Sequence, residues 1–372
     1  MLSVLLLTLL SLLSPAYQQP DQVTSRFNRA VELQRQGAWK EAAEEYRAVL
    51  AAAPSYAEAR ANLGVVLSRL GEYDDAISSY EEALRLNPAL TPILLNLGIA
   101  HYRAGRFAKA VEALERFLAI SPNHIQARQL IGISLVELGR EREATSHLES
   151  TLPAAPDDVT VLYSLGIAYL RLGRPELESI VQRLTAQPDR AALARLLQGQ
   201  ARLESLEIEK AATDLEAAEK LSPDLPRLQF LLGLAYFKLG RSSEARVRFE
   251  RELVRVPTDF LTLYYLSLTL EKHGDLNGAR QRIEAAIRQE PHSAEALTLM
   301  GTILLKQGQA NEAARVLEQA IVRQPLNSEA HYQLARSYQK VGRKQEATRE
   351  FAEVERIKAL EREREKERSR NP

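Results

Sequence analysis

The sequence predicts an all-α fold built as an array of about ten helix-turn-helix repeats. Three observations predict it: a pattern that returns every thirty-four residues, helical spacing of apolar residues inside each period, and a glycine that splits nearly every period in two. The stretch Ala57 to Leu90, AEARANLGVVLSRLGEYDDAISSYEEALRLNPAL, shows the unit most clearly. Stepping from Ala76 by the period reaches Ala42, Ala110 and Ala144, then Ala211, Ala245, Ala279, Ala313 and Ala347. Each of these alanines is followed four residues later by an aromatic or aliphatic residue. Apolar residues make up 45%, enough for a continuous core, and Leu, Ala, Glu and Arg favour helix. An array of this kind absorbs all 372 residues as one elongated body. Lys plus Arg equals Asp plus Glu at 49 each, so there is no basic field to draw a nucleic acid. The absence of cysteine excludes disulfides, thiolate metal sites and cysteine nucleophiles.

In chain order, residues 1–13, MLSVLLLTLLSLL, are apolar and uncharged, and Ser14 and Ala16 suit a signal peptidase. The run is shorter than the roughly 20 residues of a membrane span. Residues 1–16 therefore read as a Sec-type signal peptide for an exported, periplasmic or secreted, protein; the alternative is an uncleaved segment anchoring the chain to a membrane. Residues 17–22 read as a short leader. Repeats one to five occupy 23–190 and repeats six to ten 191–360, beginning near Val23, Ala57, Thr91, Ile125, Val159, Ala192, Pro226, Phe260, Ala294 and Ser328.

Within the units, glycines such as Gly71, Gly105 and Gly342 sit where the first helix must stop. Prolines such as Pro88, Pro122 and Pro291 close most units by pushing the preceding residue out of helix. Seven units carry Gly at the eighth position (Gly64, Gly98, Gly132, Gly166, Gly199, Gly233, Gly301), where two helix backbones must approach closely.

The fifth and sixth units break the pattern. From Ala144 to Ala211 is sixty-seven residues, one short of two periods. Leu177 reads as the residue standing where the other units have alanine, and Leu206 stands where the sixth turn glycine belongs. The expectation is a change of pitch or a hinge within 174–210. At the other end, the helical pattern from Lys344 runs through Phe351, Val354 and Ile357 into a charged tail, 361–372. There Glu361 and Arg364, Glu363 and Lys366, and Glu365 and Arg368 have helical ion-pair spacing.

The set Leu63-Gly64, Gly71, Tyr73, Ala76, Tyr80, Ala83-Leu84 and Pro88 resembles the tetratricopeptide repeat, over about residues 23–360. The family's tryptophan at the fourth position is absent from all ten units. The resemblance implies a right-handed superhelical solenoid whose first helices line a groove for peptides or protein segments.

No catalytic constellation is present. The six histidines, His101, His124, His147, His273, His292 and His331, lack ligand spacing, and no phosphate loop or nucleophile turn occurs. Repeats fill the chain between leader and tail, which leaves no length for a catalytic domain. We expect no enzyme, no metal and no cofactor.

Mapping the family's inward positions onto this sequence gives Phe27, Tyr102, Tyr163, Phe230, Phe237, Tyr264 and Tyr332, with Arg103, Lys238, Lys272 and Arg336 nearby. Aromatic and Arg anchors dominate interface energetics. The Lys/Asn pair with which some family members clamp a peptide carboxylate is missing from the first three units, which hold Phe27 and Val31, Ala61 and Val65, Leu95 and Ile99. The expected function is a non-catalytic scaffold that binds a protein or extended peptide. The alternatives are an assembly or oligomerisation subunit, and a substrate-recruiting module for a separately encoded enzyme.

Overall fold

The structure, a computed structural model, describes residues 20–370. The segment 1–16 and the first three residues of the leader lie outside the described residues. Among the described residues there are twenty α-helices, one short 3-10 turn at Pro188–Arg190, and no strand. The chain divides into two compact units between Leu184 and Thr185.

Unit 1 holds α1 (Pro20–Arg35), α2 (Trp39–Ala52), α3 (Ala57–Leu70), α4 (Tyr73–Leu86), α5 (Ile93–Arg103), α6 (Phe107–Leu118), α7 (Ile125–Glu137), α8 (Glu141–Glu149) and α9 (Val159–Leu172), and α10 (Leu177–Thr185) reaches the division. Unit 2 holds α11 (Ala191–Glu204), α12 (Ile208–Leu221), α13 (Leu228–Lys238), α14 (Ser242–Arg255), α15 (Phe260–Lys272), α16 (Leu276–Gln289), α17 (Ala294–Lys306), α18 (Ala310–Arg323), α19 (Ser328–Lys340) and α20 (Lys344–Arg370). Successive helices pack as antiparallel-connected pairs, and the second helix of a pair packs on the first helix of the next, as in α3–α4–α5 and α15–α16–α17. Six first helices (α3, α7, α9, α15, α17 and α19) begin on the residue anticipated from the repeat. The first helix starts three residues before Val23, inside the stretch read as leader, because Pro20 suits a helix's opening position, where an N–H has no intrahelical partner.

The pair α3–α4 shows what the small residues do. A Cβ on Gly64 would lie 2.6 Å from Cε1 of Tyr80, so only glycine lets the two helices close on that ring. Tyr80, Ala76 and Ala83 are at most 1% exposed. Burial pushes the Tyr80 phenol up to about 12. The helix stops at Gly71, whose φ of +82° allows Glu72 N–H to donate to the Leu67 carbonyl at 2.9 Å. Trp39 packs half-buried against this core, with the Arg69 guanidinium 6.0 Å from its ring centre.

Leu206 makes the same turn without the glycine. Its φ is +61°, and Glu207 N–H donates to the Arg202 carbonyl at 2.8 Å, matching Glu72 to Leu67. The side chain gains nothing in return, being 73% exposed. A left-handed leucine is strained by roughly 1–2 kcal/mol, part of which glycine gives back as chain entropy. Leu206→Gly is therefore expected to stabilise unit 2 by about 0.5–1 kcal/mol, read as a higher denaturant midpoint. An unchanged or lower midpoint contradicts this account.

The irregular fifth repeat resolves differently from the sequence reading. In regular second helices the buried residues fall at i, i+1 and i+4, as Ala76, Ile77 and Tyr80 do in α4. In α10 the residues so placed are Ile180, Val181 and Leu184, while Leu177 is only half-buried. Ile180, not Leu177, holds the alanine position. The net loss of one residue is two changes: Gly71 to Ala76 is five residues but Gly173 to Ile180 is seven, and Ala76 to Gly98 is twenty-two but Ile180 to Gly199 is nineteen. The turn thus gains two residues and the stretch from the alanine position to the next close-approach glycine loses three; within that shorter stretch α10 has 9 residues where α4 has 14.

The last helix runs 27 residues to Arg370. Neither Glu361 with Arg364 nor Glu363 with Lys366 forms a bridge; the pairs near this end are Arg343–Glu346, Arg356–Glu353 and Lys358–Glu355. Exposed long side chains gain too little from such pairing to hold one geometry. Glu365 and Arg368 lie outside the described side chains.

Candidate partner-binding face

In each unit the first helix of a pair also approaches the first helix of the next: α1, α3, α5, α7 and α9 in unit 1, and α11, α13, α15, α17 and α19 in unit 2. The first helices thus form a continuous layer within each unit, and their free sides offer side chains to a partner.

In unit 1 the candidates are dispersed. Phe27 is half-buried, its ring stacked on Tyr56 at 4.9 Å and edge-on to Tyr46 at 5.9 Å. Tyr102 stands edge-on to Phe107 at 5.8 Å, and burial raises its phenol pKa. Arg103 is exposed and Tyr163 half-buried.

Unit 2 concentrates them. Phe237 and Tyr264 both stand edge-on to Tyr265, at 5.6 and 5.5 Å, and Tyr264 stacks on Phe260 at 6.2 Å. The Lys272 ammonium sits 4.3 Å from the centre of the Phe237 ring, a cation–π contact, and Lys238, the next residue of α13, is exposed. Burial raises the Tyr264 phenol pKa, which keeps it protonated as a donor. Tyr332 and Arg336 make a separate pair on α19: the guanidinium is 5.9 Å from the ring centre, and Phe351 lies 5.9 Å away on the other helix of the pair.

Phe230 leaves the set. It is 5% exposed, 6.1 Å from both Phe249 and Tyr265, and Arg227 lies over its ring at 5.3 Å. It belongs to the interior of unit 2, where large neighbours close over it. Tyr265 is the residue that sequence reasoning missed: it joins Phe230, Phe237, Phe249 and Tyr264. The available signal was a second bulky aromatic directly after Tyr264, where the preceding repeat has Leu231.

Beneath this face, Glu252 is buried at a position that is Ala83, Ala218, Ala286 or Ala320 in other repeats. It accepts from Phe230 N–H at 3.3 Å, and burial raises its pKa. Glu271, also buried, is ion-paired with Lys306. The histidines act locally: His124 Nδ1 accepts from Ala127 N–H at the start of α7, and His331 bridges Glu350 at 2.6 Å and the Pro325 carbonyl at 3.1 Å. Among the described residues no three His, Asp or Glu side chains converge on a metal position. A polar depression of about 610 Å³ lies between the turns after α15 and α17. Its side chains bind one another, Arg280 to Gln309 at 2.8 Å and Gln307 to Asn277 at 3.0 Å. Among the described residues no helix is long and apolar enough to cross a membrane.

Family models described as tetratricopeptide repeat match residues 27–91, 66–125 and 130–191, and, for a second model, 270–325 and 304–363. A model described as TPR repeat matches 199–240. A search of the curated proteins finds no match. Among solved structures the chain is similar to a crystal structure of the APC/C hetero-tetramer Cut9–Hcn1, with a TM-score of 0.55 at 16% identity, over 91% of this chain and 82% of that one. It is also similar to MamA 41-end from Desulfovibrio magneticus RS-1 (TM-score 0.43, 21% identity, 45% of this chain and 96% of that one). A MamA RS-1 double mutant gives a TM-score of 0.43 at 20% identity, over 46% and 96%. At these identities the likeness is one of fold.

Proposed function

The chain belongs to the tetratricopeptide repeat family, and from that premise we propose that it is a non-catalytic scaffold whose first-helix face in unit 2 receives a protein or an extended peptide. The observation that carries this reading is the grouping of Phe237, Tyr264 and Lys272 about Tyr265 on α13 and α15, with the exposed Lys238 next in sequence to Phe237. Half-buried aromatic rings backed by a packed interior lose little side-chain entropy on binding, which is what an anchor needs. The exposed lysines favour a partner segment carrying carboxylates next to its apolar residues. Partner binding is also what Cut9, a structure of similar fold, displays in its tetramer with Hcn1. Export rests on the apolar run 1–13 followed by Ser14 and Ala16.

The test is affinity capture from the native extract by the chain beginning at Tyr17, compared with a Phe237→Ala/Tyr264→Ala variant. The expected result is loss of at least about tenfold in captured partner, since two anchors at roughly 1–2 kcal/mol each exceed one decade. Phe230→Ala is not informative here because it disturbs the interior. Capture unchanged by the double substitution removes the unit 2 face from the proposal. Mass spectrometry of the mature N-terminus tests export separately, and a chain beginning at Met1 contradicts cleavage.

A further inference from the structure

Three joints between successive pairs carry the same side-chain arrangement. Tyr169 on α9 donates its hydroxyl to Glu149 on α8 at 2.9 Å, Tyr236 on α13 donates to Glu216 on α12 at 2.9 Å, and Tyr338 on α19 donates to Glu318 on α18 at 2.7 Å. In each case an arginine five residues after the tyrosine lies over its ring: Arg174 at 4.8 Å, Arg241 at 4.4 Å and Arg343 at 4.1 Å. The glutamate always precedes the tyrosine by twenty residues, so the arrangement fastens the end of one pair to the start of the next. Burial and the adjacent carboxylate push the Tyr169 and Tyr338 phenols up to about 12, so these latches do not titrate near neutrality.

A fourth joint has the same spacing with a different central residue: Glu81 on α4, His101 on α5, and Arg106. Here the latch is not made. His101 Nε2 is 4.0 Å from the Glu81 carboxylate, beyond hydrogen-bond length, and Arg106 pairs instead with Asp74 at 2.8 Å. His101 is 4% exposed, and its Nδ1 is buried without a partner. A neutral imidazole tolerates this, because Nδ1 then serves as an unused acceptor. An imidazolium carries an N–H on both nitrogens, and this slot offers an acceptor to one at most.

We propose that the joint between the second and third helix pairs is an acid-labile latch: a proton taken up by His101 on acidification places a buried donor where no acceptor stands and loosens the packing of α4 against α5. The charged groups facing the ring are Glu81 from α4, Arg106 from the following turn, and Lys109 and Glu112 from α6. Burial lowers the pKa of His101; Glu81 opposes this, Arg106 and Lys109 add to it, and Glu112 opposes it. The open joint therefore binds the proton more readily than the closed one. The joint keeps its full stability above the free-imidazole value of about 6.5, loses it as pH falls from there, and levels off below the lowered pKa of the closed state. The phenols of Tyr169, Tyr236 and Tyr338, all raised by burial, stay protonated over this range. His147 on α8 also has a buried, unpartnered Nδ1 and a pKa lowered by burial, so the helix pairs of unit 2 serve as the reference for the response at His101.

Hydrogen exchange read by mass spectrometry at about pH 7.5 and about pH 5.5, corrected for intrinsic rates, tests this on the full chain. Protection of residues 93–103 is expected to fall by between about threefold and tenfold at the acid pH, while the segment 228–238, which carries the Tyr236 latch, holds. His101→Tyr, which rebuilds the latch, and His101→Phe, which deletes the titration alone, are both expected to abolish the acid-dependent loss. Wild-type protection that does not change with pH, or a loss that persists in both variants, overturns the proposal. Should the variants fail to fold, the NMR titration of His101 in the wild type decides: a pKa at or above about 6.5 overturns it, and a lower one supports it.

Discussion

Phe249→Ala is expected to cost about 3–5 kcal/mol, the range for truncating a fully buried aromatic. Phe249 on α14 is 0% exposed, and its ring fills the space that Gly233 leaves: a Cβ there would meet Phe249 Cε1 at 2.6 Å. The same ring stacks against Tyr265 and packs on Phe230, each at 6.1 Å. Alanine leaves a cavity with Gly233 on one side, which has no side chain to fill it. Because stability in a repeat array is a sum of local terms and neighbour contacts, the loss should concentrate in α13–α16. Denaturant unfolding gives the size of the loss, and hydrogen exchange its location. A change below about 1 kcal/mol, or one spread evenly over both units, contradicts this packing account. The variant should also weaken partner capture, because Phe237 and Tyr264 both rest on Tyr265. That loss tests backing and not contact, so it is distinguishable from the effect of removing the two anchors themselves.

The fold was legible where a backbone requirement repeats. Gly64, Gly98 and Gly132 could be read as close-approach positions because a small residue recurs there in register, and the structure sets each against a large residue sixteen later, Tyr80, Leu114 and Leu148. The fifth repeat was legible only as a sum: a turn longer by two and a stretch from the alanine position to the next close-approach glycine shorter by three leave a single missing residue, and Leu177 and Ile180 are both aliphatic, so either fits the helical spacing. The binding face was legible as residue types and less so as exposure. The fifth position of the repeat is 0% exposed at Leu196, 5% at Phe230 and 41% at Tyr332, because exposure there is set by what the next pair supplies, such as Tyr265 closing over Phe230. The joint latches were invisible to a reading within one period, since glutamate and tyrosine belong to different repeats.

Gly132→Val should be nearly as damaging as the loss of Phe249, for the opposite reason. A Cβ at Gly132 would lie 2.5 Å from Leu148 Cγ and 3.3 Å from the Ala144 carbonyl. Leu148 and Ala144 are both 0% exposed, so neither the side chain nor the backbone of α8 has room to yield. Nor can α7 withdraw, because it also packs against α6 and α9. Overpacking typically costs 1–3 kcal/mol, and contact with backbone as well as side chain places this site at about 3 kcal/mol. A double-mutant cycle separates overpacking from a general intolerance of substitution. Leu148→Ala alone should lose about 2–5 kcal/mol to a cavity, and Gly132→Ala alone should lose stability through the clash. Together the new methyl enters the space that Leu148 vacated, so the double variant should be more stable than the sum of the two losses by about 1–3 kcal/mol. Simple additivity within about 0.5 kcal/mol would show that the two positions do not share this space, and the close approach could then no longer explain the glycine.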